Sequence, residues 1–198
     1  MILNINMEKK SELIEQYYSG NLSFGKKACH EICRNGRGID QMFLHFVLPE
    51  LPLGVHYKPF IVYDLIKLIS IEIGGSQIIE MNSKQLNVFD QTERELQRIK
   101  GVSPIVDNKV IYPIDLNMFF GKTKCDEDVK HVLDLDFEGI RMTDLGYNIA
   151  RFYVTLNNID KIIVNYETLD LGCQTALSKL ELVDATIWSN YVNFNPEL

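Results

Sequence analysis

The run FIVYDLIKLISIEI, residues 60–73, is the greasiest in the chain, and its reading decides the fold. A membrane span needs about 20 consecutive, predominantly apolar residues. This run has fourteen and carries Asp64, Lys67 and Glu72, so it belongs to a folded core. Taken at the helical period it is apolar nearly all round. Phe60, Ile61, Val62, Leu65, Ile66, Leu68, Ile69, Ile71 and Ile73 leave no wide polar face. Pro59 suits a first helical turn and Gly74-Gly75 a stop. The expectation is a helix at the middle of a bundle, with Leu65, Ile66 and Ile69 buried.

The flanking segments fit the same picture. Leu13, Ile14, Tyr17 and Tyr18 fall at helical spacing between Glu8 and Tyr18. Ser23 can cap a second helix that ends at Asn35-Gly36, and a third runs from Ile39 to Val47 before Pro49. From Ser83 to Lys100, Leu86, Phe89, Leu96 and Ile99 make the buried stripe of an amphipathic helix that stops at Gly101.

Beyond Gly101 the texture changes. Turn residues surround KVIYPI (109–114), and VLDLDFEG (132–139) alternates apolar and acidic residues as a half-exposed strand does. Helices are expected again at 143–153, 156–166 and 173–190. The fold class is therefore α+β, mainly α. A helical bundle over 1–101 is followed by a smaller mixed, winged-helix-like part over 102–198, the two sharing one core.

Composition narrows the function. The 198 residues are 46% hydrophobic and 24% charged, ordinary for a globular protein, and the formal net charge is -7. That charge opposes a surface built wholly for a polyanion or an anionic membrane. Cys29, Cys33, Cys125 and Cys173 are scattered through a chain too long to need staples, which suits free thiols in a reducing compartment. MILNINMEKK lacks a sustained apolar segment, so a cytoplasmic protein is expected, with no membrane contact.

The densest chemistry lies in CHEICRNGRGIDQMF, residues 29–43. Cys29 and Cys33 would share a helix face, but His30 would point about 100° away, and zinc wants four converging ligands. Inward-facing thiols are expected, and no metal or cofactor. Arg34 and Arg37, with Lys26 and Lys27, form the most concentrated basic contact point. DLDFEGIRMTDL (134–145) imitates the start of a calcium loop. Its twelfth position is Leu145 instead of glutamate, however, and its eighth is Arg141 instead of an apolar residue. The acidic residues Asp126, Glu127, Asp128, Asp134, Asp136 and Glu138 are expected instead to steer a basic protein partner. No GxSxG, HExxH or glycine-rich phosphate loop is present, so there is no catalytic assignment. An enzyme would need a dispersed set such as His30, Asp40 and His45.

In FEGIRMTDLGYNIARFYVTLNNIDKI (137–162), Thr143 can cap a helix carrying Leu145, Gly146 and Ala150, followed by Phe152, Tyr153 and Val154. This element resembles the strand-to-helix junction of the winged helix in Ski2-like helicases. It covers about 26 of 198 residues, and the ATPase motifs of that family are missing, so the resemblance implies architecture without helicase activity. The leading expectation is a non-enzymatic cytoplasmic adaptor or immunity-like inhibitor acting through a protein partner. A winged-helix nucleic-acid module and a dispersed-site enzyme follow it.

Overall fold

Of residues 61–73, only Ile61–Leu65 (α1) is helical; Ile66–Ile73 is a strand, β5. Leu65, Ile66 and Ile69 are fully buried, as their chemistry requires, but the period is two and not 3.6. The pairing of β5 shows why the helical spacing misleads. Ile66 stands opposite Leu156 and Leu68 opposite Thr155, leaving Lys67 as the extra residue of a bulge. The alternation restarts there, and Ile69, Ile71 and Ile73 then face Val154, Phe152 and Ala150. A bulge inside an isoleucine-rich strand scatters apolar residues over every helical angle. β-branched enrichment was the contrary signal.

The computed structural model describes residues 9–57, 61–88, 108–114, 116, 139–165, 175–177 and 179–194. The remaining strands are β1 (Lys9–Tyr17), β2 (Lys27–Glu31), β3 (Gly38–Val47), β4 (Val55–Tyr57) and β6 (Ser76–Asn82). After them come β7 (Lys109–Ile114), β8 (Ile140–Arg141), β9 (Ala150–Leu156), β10 (Ile163–Asn165) and β11 (Asp184–Phe194). Two further helical turns, α2 (Met142–Leu145) and α3 (Ile159–Ile162), interrupt them. The expected helices over 8–18, 23–34 and 39–47 are thus replaced by strands. KVIYPI is a strand as expected, and residues 83–88 are helical. The expected strand over 132–139 lies, except for Gly139, outside the described residues.

The strands assemble in the order β1-β11-β3-β7, with β8 added beside β3, and in a second sheet ordered β2-β9-β5-β6. β4 and β10 form a separate pair. Counting only the eight long strands along the chain, the sheets read 1-8-3-6 and 2-7-4-5, every neighbour antiparallel. Two four-stranded sheets interleaved in this way are a jelly roll. The mainly α bundle is overturned, and strands from both sides of Gly101 are hydrogen-bonded together in each sheet. No helix among the described residues is long and apolar enough to cross a membrane.

One core lies between the sheets. Met42, Leu44 and Phe46 of β3, Ile187 and Tyr191 of β11, and Val110, Tyr112 and Ile114 of β7 point inward from the first. Ile69 and Ile71 of β5 and Phe152, Val154 and Leu156 of β9 point inward from the second. A bulge at Asp40 lets both Ile39 and Met42 face the core, and the Asp40 carboxylate accepts a hydrogen bond from Asn190 Nδ2 at 2.7 Å. Gln16 Nε2 donates to the Tyr191 hydroxyl at 3.1 Å, and burial pushes that phenol up to about 12.

The junction over 137–162 takes a form opposed to the winged-helix expectation. The helix expected from Thr143 onward is reduced to the single turn α2, which ends at Gly146 with φ 56°. Ala150, Phe152, Val154 and Leu156 alternate inward along the central strand β9. The helical spacing of Leu145, Ala150 and Tyr153 is coincidental, because a period of two over ARFYVTL satisfies the burial completely.

His30 of β2 is buried in this core. Its Nδ1 lies 3.3 Å from the Tyr17 carbonyl, its Nε2 has no hydrogen-bond partner among the described residues, and its ring meets Tyr18 edge to face. Burial holds its pKa below the usual 6.5, against smaller opposing effects of the Tyr17 carbonyl and Glu31. The unfolded chain therefore binds a proton near pH 6.5 that the folded chain refuses until lower pH. Stability attributable to this group is complete above pH 6.5 and falls as pH drops below it. Thermal midpoints measured between about pH 8 and about pH 5 should decline more steeply for the native chain than for His30→Gln, which cannot charge. Parallel declines would assign the acid sensitivity to other groups.

Candidate functional site

The two sheets differ in what they show on the side away from the core. On the first, Trp188 of β11 stands between Glu15 of β1 and Phe43 of β3, with Pro113 of β7 beyond. Two residues along, His45 pairs with Ile111; on the other side Leu13 lies diagonal to Trp188. Leu13, Trp188, Phe43, His45 and Ile111 line an open hollow of about 360 Å³. Leu13 is 52% and Ile111 48% exposed, while Trp188 and Phe43 are half-buried. Among the described residues, His45 Nδ1 lies 3.4 Å from Thr186 Oγ1 there. Glu15 and Lys109, both exposed, bound this face on its opposite edge strands. Among the described residues that line the hollow there is no nucleophile–base pair. Its chemistry is that of a contact surface.

The outer side of the second sheet carries a connected polar cluster across β2, β9 and β5. Register places Glu31, Arg151 and Glu72 side by side across β2, β9 and β5. Arg151 Nη1 donates to Glu72 Oε1 at 3.4 Å, and its Nε lies 3.8 Å from Glu31 Oε2. The Tyr153 hydroxyl donates to Glu72 Oε2 at 3.3 Å, and Lys27 Nζ sits 4.1 Å over the Tyr153 ring. Exposed pairs of this kind contribute roughly 0.2–1 kcal/mol each, so they serve solubility and register more than stability.

The residues singled out from the sequence are dispersed. Arg34 lies in the loop after β2, and its Nη2 donates to the Asn148 carbonyl at 2.8 Å, tying two loops together. Arg37 is exposed nearby, its backbone held by Val192 and Met142. Lys27 lies at the other end of β2, so the basic group does not converge. His30 points into the core, whereas Asp40 and His45 belong to the outer side of the first sheet. Cys29 faces outward on a strand, and burial pushes its thiol up. Cys33 is exposed beyond the strand end, and among the described residues no three potential ligands gather. Asp126, Glu127, Asp128, Asp134, Asp136, Glu138, Cys125 and Cys173 lie outside the described residues.

Leu13, Phe43, Ile111 and Trp188 are not marked as neighbouring surface residues by any pattern in the linear sequence. The available signal was MFLHFV in β3, where apolar residues occupy both parities, as in a strand covered on two sides.

A family model for the major capsid protein N-terminus matches residues 9–195, nearly the whole chain and every long strand. The chain belongs to that family. Capsid protein 1 of Acanthamoeba polyphaga mimivirus is 25% identical across 94% of this chain and 34% of its own length. The major capsid protein of Phaeocystis pouchetii virus is 28% identical over 54% of this chain and 22% of its own. The chain therefore spans about a third or less of these relatives. A quasi-atomic model of the PBCV-1 virus capsid superposes with a TM-score of 0.65 over 98% of this chain and 45% of that one. At 19% identity this last likeness bears on the fold alone.

Membership in the major capsid protein family overturns three expectations. The Ski2-like winged helix has no counterpart in the described fold, and the adaptor or inhibitor gives way to membership of a major capsid protein family. The cytoplasmic assignment fails as well, because a capsid protein is a component of the virion. Absent catalytic motifs and acidic charge suit a shell subunit as well as an adaptor, so composition did not separate them.

Proposed function

We propose that this chain is a shell-building unit of a large DNA virus, a jelly roll that works through protein–protein contact. The observation that carries it is the family match over residues 9–195, coincident with the 1-8-3-6 and 2-7-4-5 strand order. Jelly rolls recur in viral capsid domains because two closed, rigid sheets present flat faces and loop ends for packing. The parts before and after Gly101 act as one body around one core. Its partners are capsid subunits, and the exposed Arg34 and Arg37 belong to the loop end available to them. The acidic residues from Asp126 to Glu138 add charge that favours a basic neighbouring surface.

Mass spectrometry of purified particles, with antibody labelling of intact virions, tests this. Peptides from the chain should copurify with the shell at an abundance comparable to other shell proteins. Their confinement to the soluble fraction of infected cells would overturn the assignment.

A further inference from the structure

We infer that Asn35-Gly36 is a self-modifying site, at which the chain's own backbone converts the asparagine to aspartate and isoaspartate and sets a carboxylate between Arg34 and Arg37. The inference goes beyond the shell-building reading and stands without it.

Asn35-Gly36 is the only asparagine–glycine pair in the chain. It lies in the loop between β2 and β3, where neither helix nor strand fixes the backbone, and Asn35 is exposed. Among the described residues, neither the Asn35 carboxamide nor the Gly36 amide enters a hydrogen bond. Other asparagines are held. Asn157 Nδ2 donates to the Asp64 carbonyl at 2.7 Å, and Asn190 Nδ2 to the Asp40 carboxylate at 2.7 Å. Asn82 Oδ1 accepts from the Lys84 and Gln85 amides. Asn148 is exposed, but Ile149 follows it, and a β-branched side chain crowds the amide that would have to attack.

The fold itself demands the reactive pair. A Cβ at Gly36 would lie 3.1 Å from the Val192 carbonyl oxygen and 3.3 Å from Tyr191 Cβ. The loop passes close over β11, where the Arg37 amide donates to that same Val192 carbonyl at 3.0 Å. Glycine permits this approach without a shift of either chain. The residue that seats the loop on β11 therefore leaves its own nitrogen unshielded by a side chain.

The chemistry needs only water. The Gly36 nitrogen loses its proton and bonds to Asn35 Cγ; the Cγ–Nδ2 bond breaks, ammonia leaves, and a five-membered succinimide closes. Water then opens the ring at either carbonyl. Attack at Cγ gives aspartate. Attack at the main-chain carbonyl gives isoaspartate, whose backbone runs through the former side chain and is longer by one methylene. Either product places an anion between the exposed Arg34 and Arg37, where it competes with the Asn148 carbonyl that now accepts from Arg34 Nη2 at 2.8 Å. The basic loop end thus loses charge with age.

The full-length chain, kept folded in mildly alkaline heavy-oxygen water and then cleaved after glutamate, reads the site directly. The fragment that starts at Ile32 takes up one heavy oxygen for each conversion. Asn35 should convert within about tenfold of its rate in the urea-unfolded chain, so that the fold adds less than about 1.4 kcal/mol to the barrier. Isoaspartate should be the larger product, and Asn148, Asn157 and Asn190 should remain amides over the same period. In the unfolded chain, where packing is no obstacle, Gly36→Val should slow the conversion by about tenfold or more. Stronger protection of Asn35 in the folded chain, or earlier label at another asparagine, would overturn the inference. So would an unchanged rate in Gly36→Val, which would assign the label to direct hydrolysis of the side chain.

Discussion

Phe152→Ala should lower the free energy of unfolding by about 3–5 kcal/mol, whereas Tyr153→Ala, one position along, should cost far less. Phe152 is fully buried between Ile71 and His30 in register, near the middle of the single core. Removing its ring forfeits the transfer free energy of the side chain and leaves a cavity that two hydrogen-bonded neighbouring strands cannot collapse. Tyr153 points the other way, and its loss removes one hydrogen bond to Glu72 and one contact with Lys27, both at the surface. Denaturant titration of both variants against the parent measures the contrast. Equal losses would mean that β9 does not present alternate residues to opposite faces, and the sheet assignment would fall with it.

Gly139→Ala should cost about 3 kcal/mol or more, while Gly75→Ala should cost only about 1–2 kcal/mol. Both positions have positive φ, 138° and 84°, so both alanines meet backbone strain. Only at Gly139 would the added Cβ be driven into neighbouring backbone, against the Ile39 carbonyl oxygen and Asp40 Cα. That backbone belongs to β3, beside which β8 is hydrogen-bonded, so neither chain can yield without breaking the pairing of Ile140 with Ile39. Detaching β8 offers no cheap escape, because Ile140 within it and Met142 and Leu145 just after it are buried. Gly75 occupies the open turn between β5 and β6 and has nothing within 4 Å of an added Cβ. Thermal and chemical denaturation of the two variants would separate strain from collision. A Gly139→Ala loss no larger than that of Gly75→Ala would remove β8 from the sheet.

The candidate face was legible only in part. MFLHFV carries apolar residues at both parities, which marks β3 as apolar on both sides. That Leu13, Trp188, Phe43 and Ile111 are neighbours depends on β1 pairing with β11 and β11 with β3. Lys9 pairs with Phe194, across nearly the whole chain, and nothing local encodes such a contact.

From side-chain chemistry alone came the residues to be buried, such as Leu65, Ile66 and Ile69, the turn at Gly74-Gly75, and the short strand KVIYPI. Hydrophobicity and glycine geometry are local properties, and they act alike in any fold that can hide or bend the chain at those points. Whether the apolar runs became helices or strands was decided by tertiary structure. Segments of five to ten residues satisfy both periods when a bulge shifts the alternation, as Lys67 does in β5. A helix satisfies its hydrogen bonds within itself. A strand such as β5 becomes favourable only once β6 and β9 supply its donors and acceptors, and β9 lies some eighty residues away.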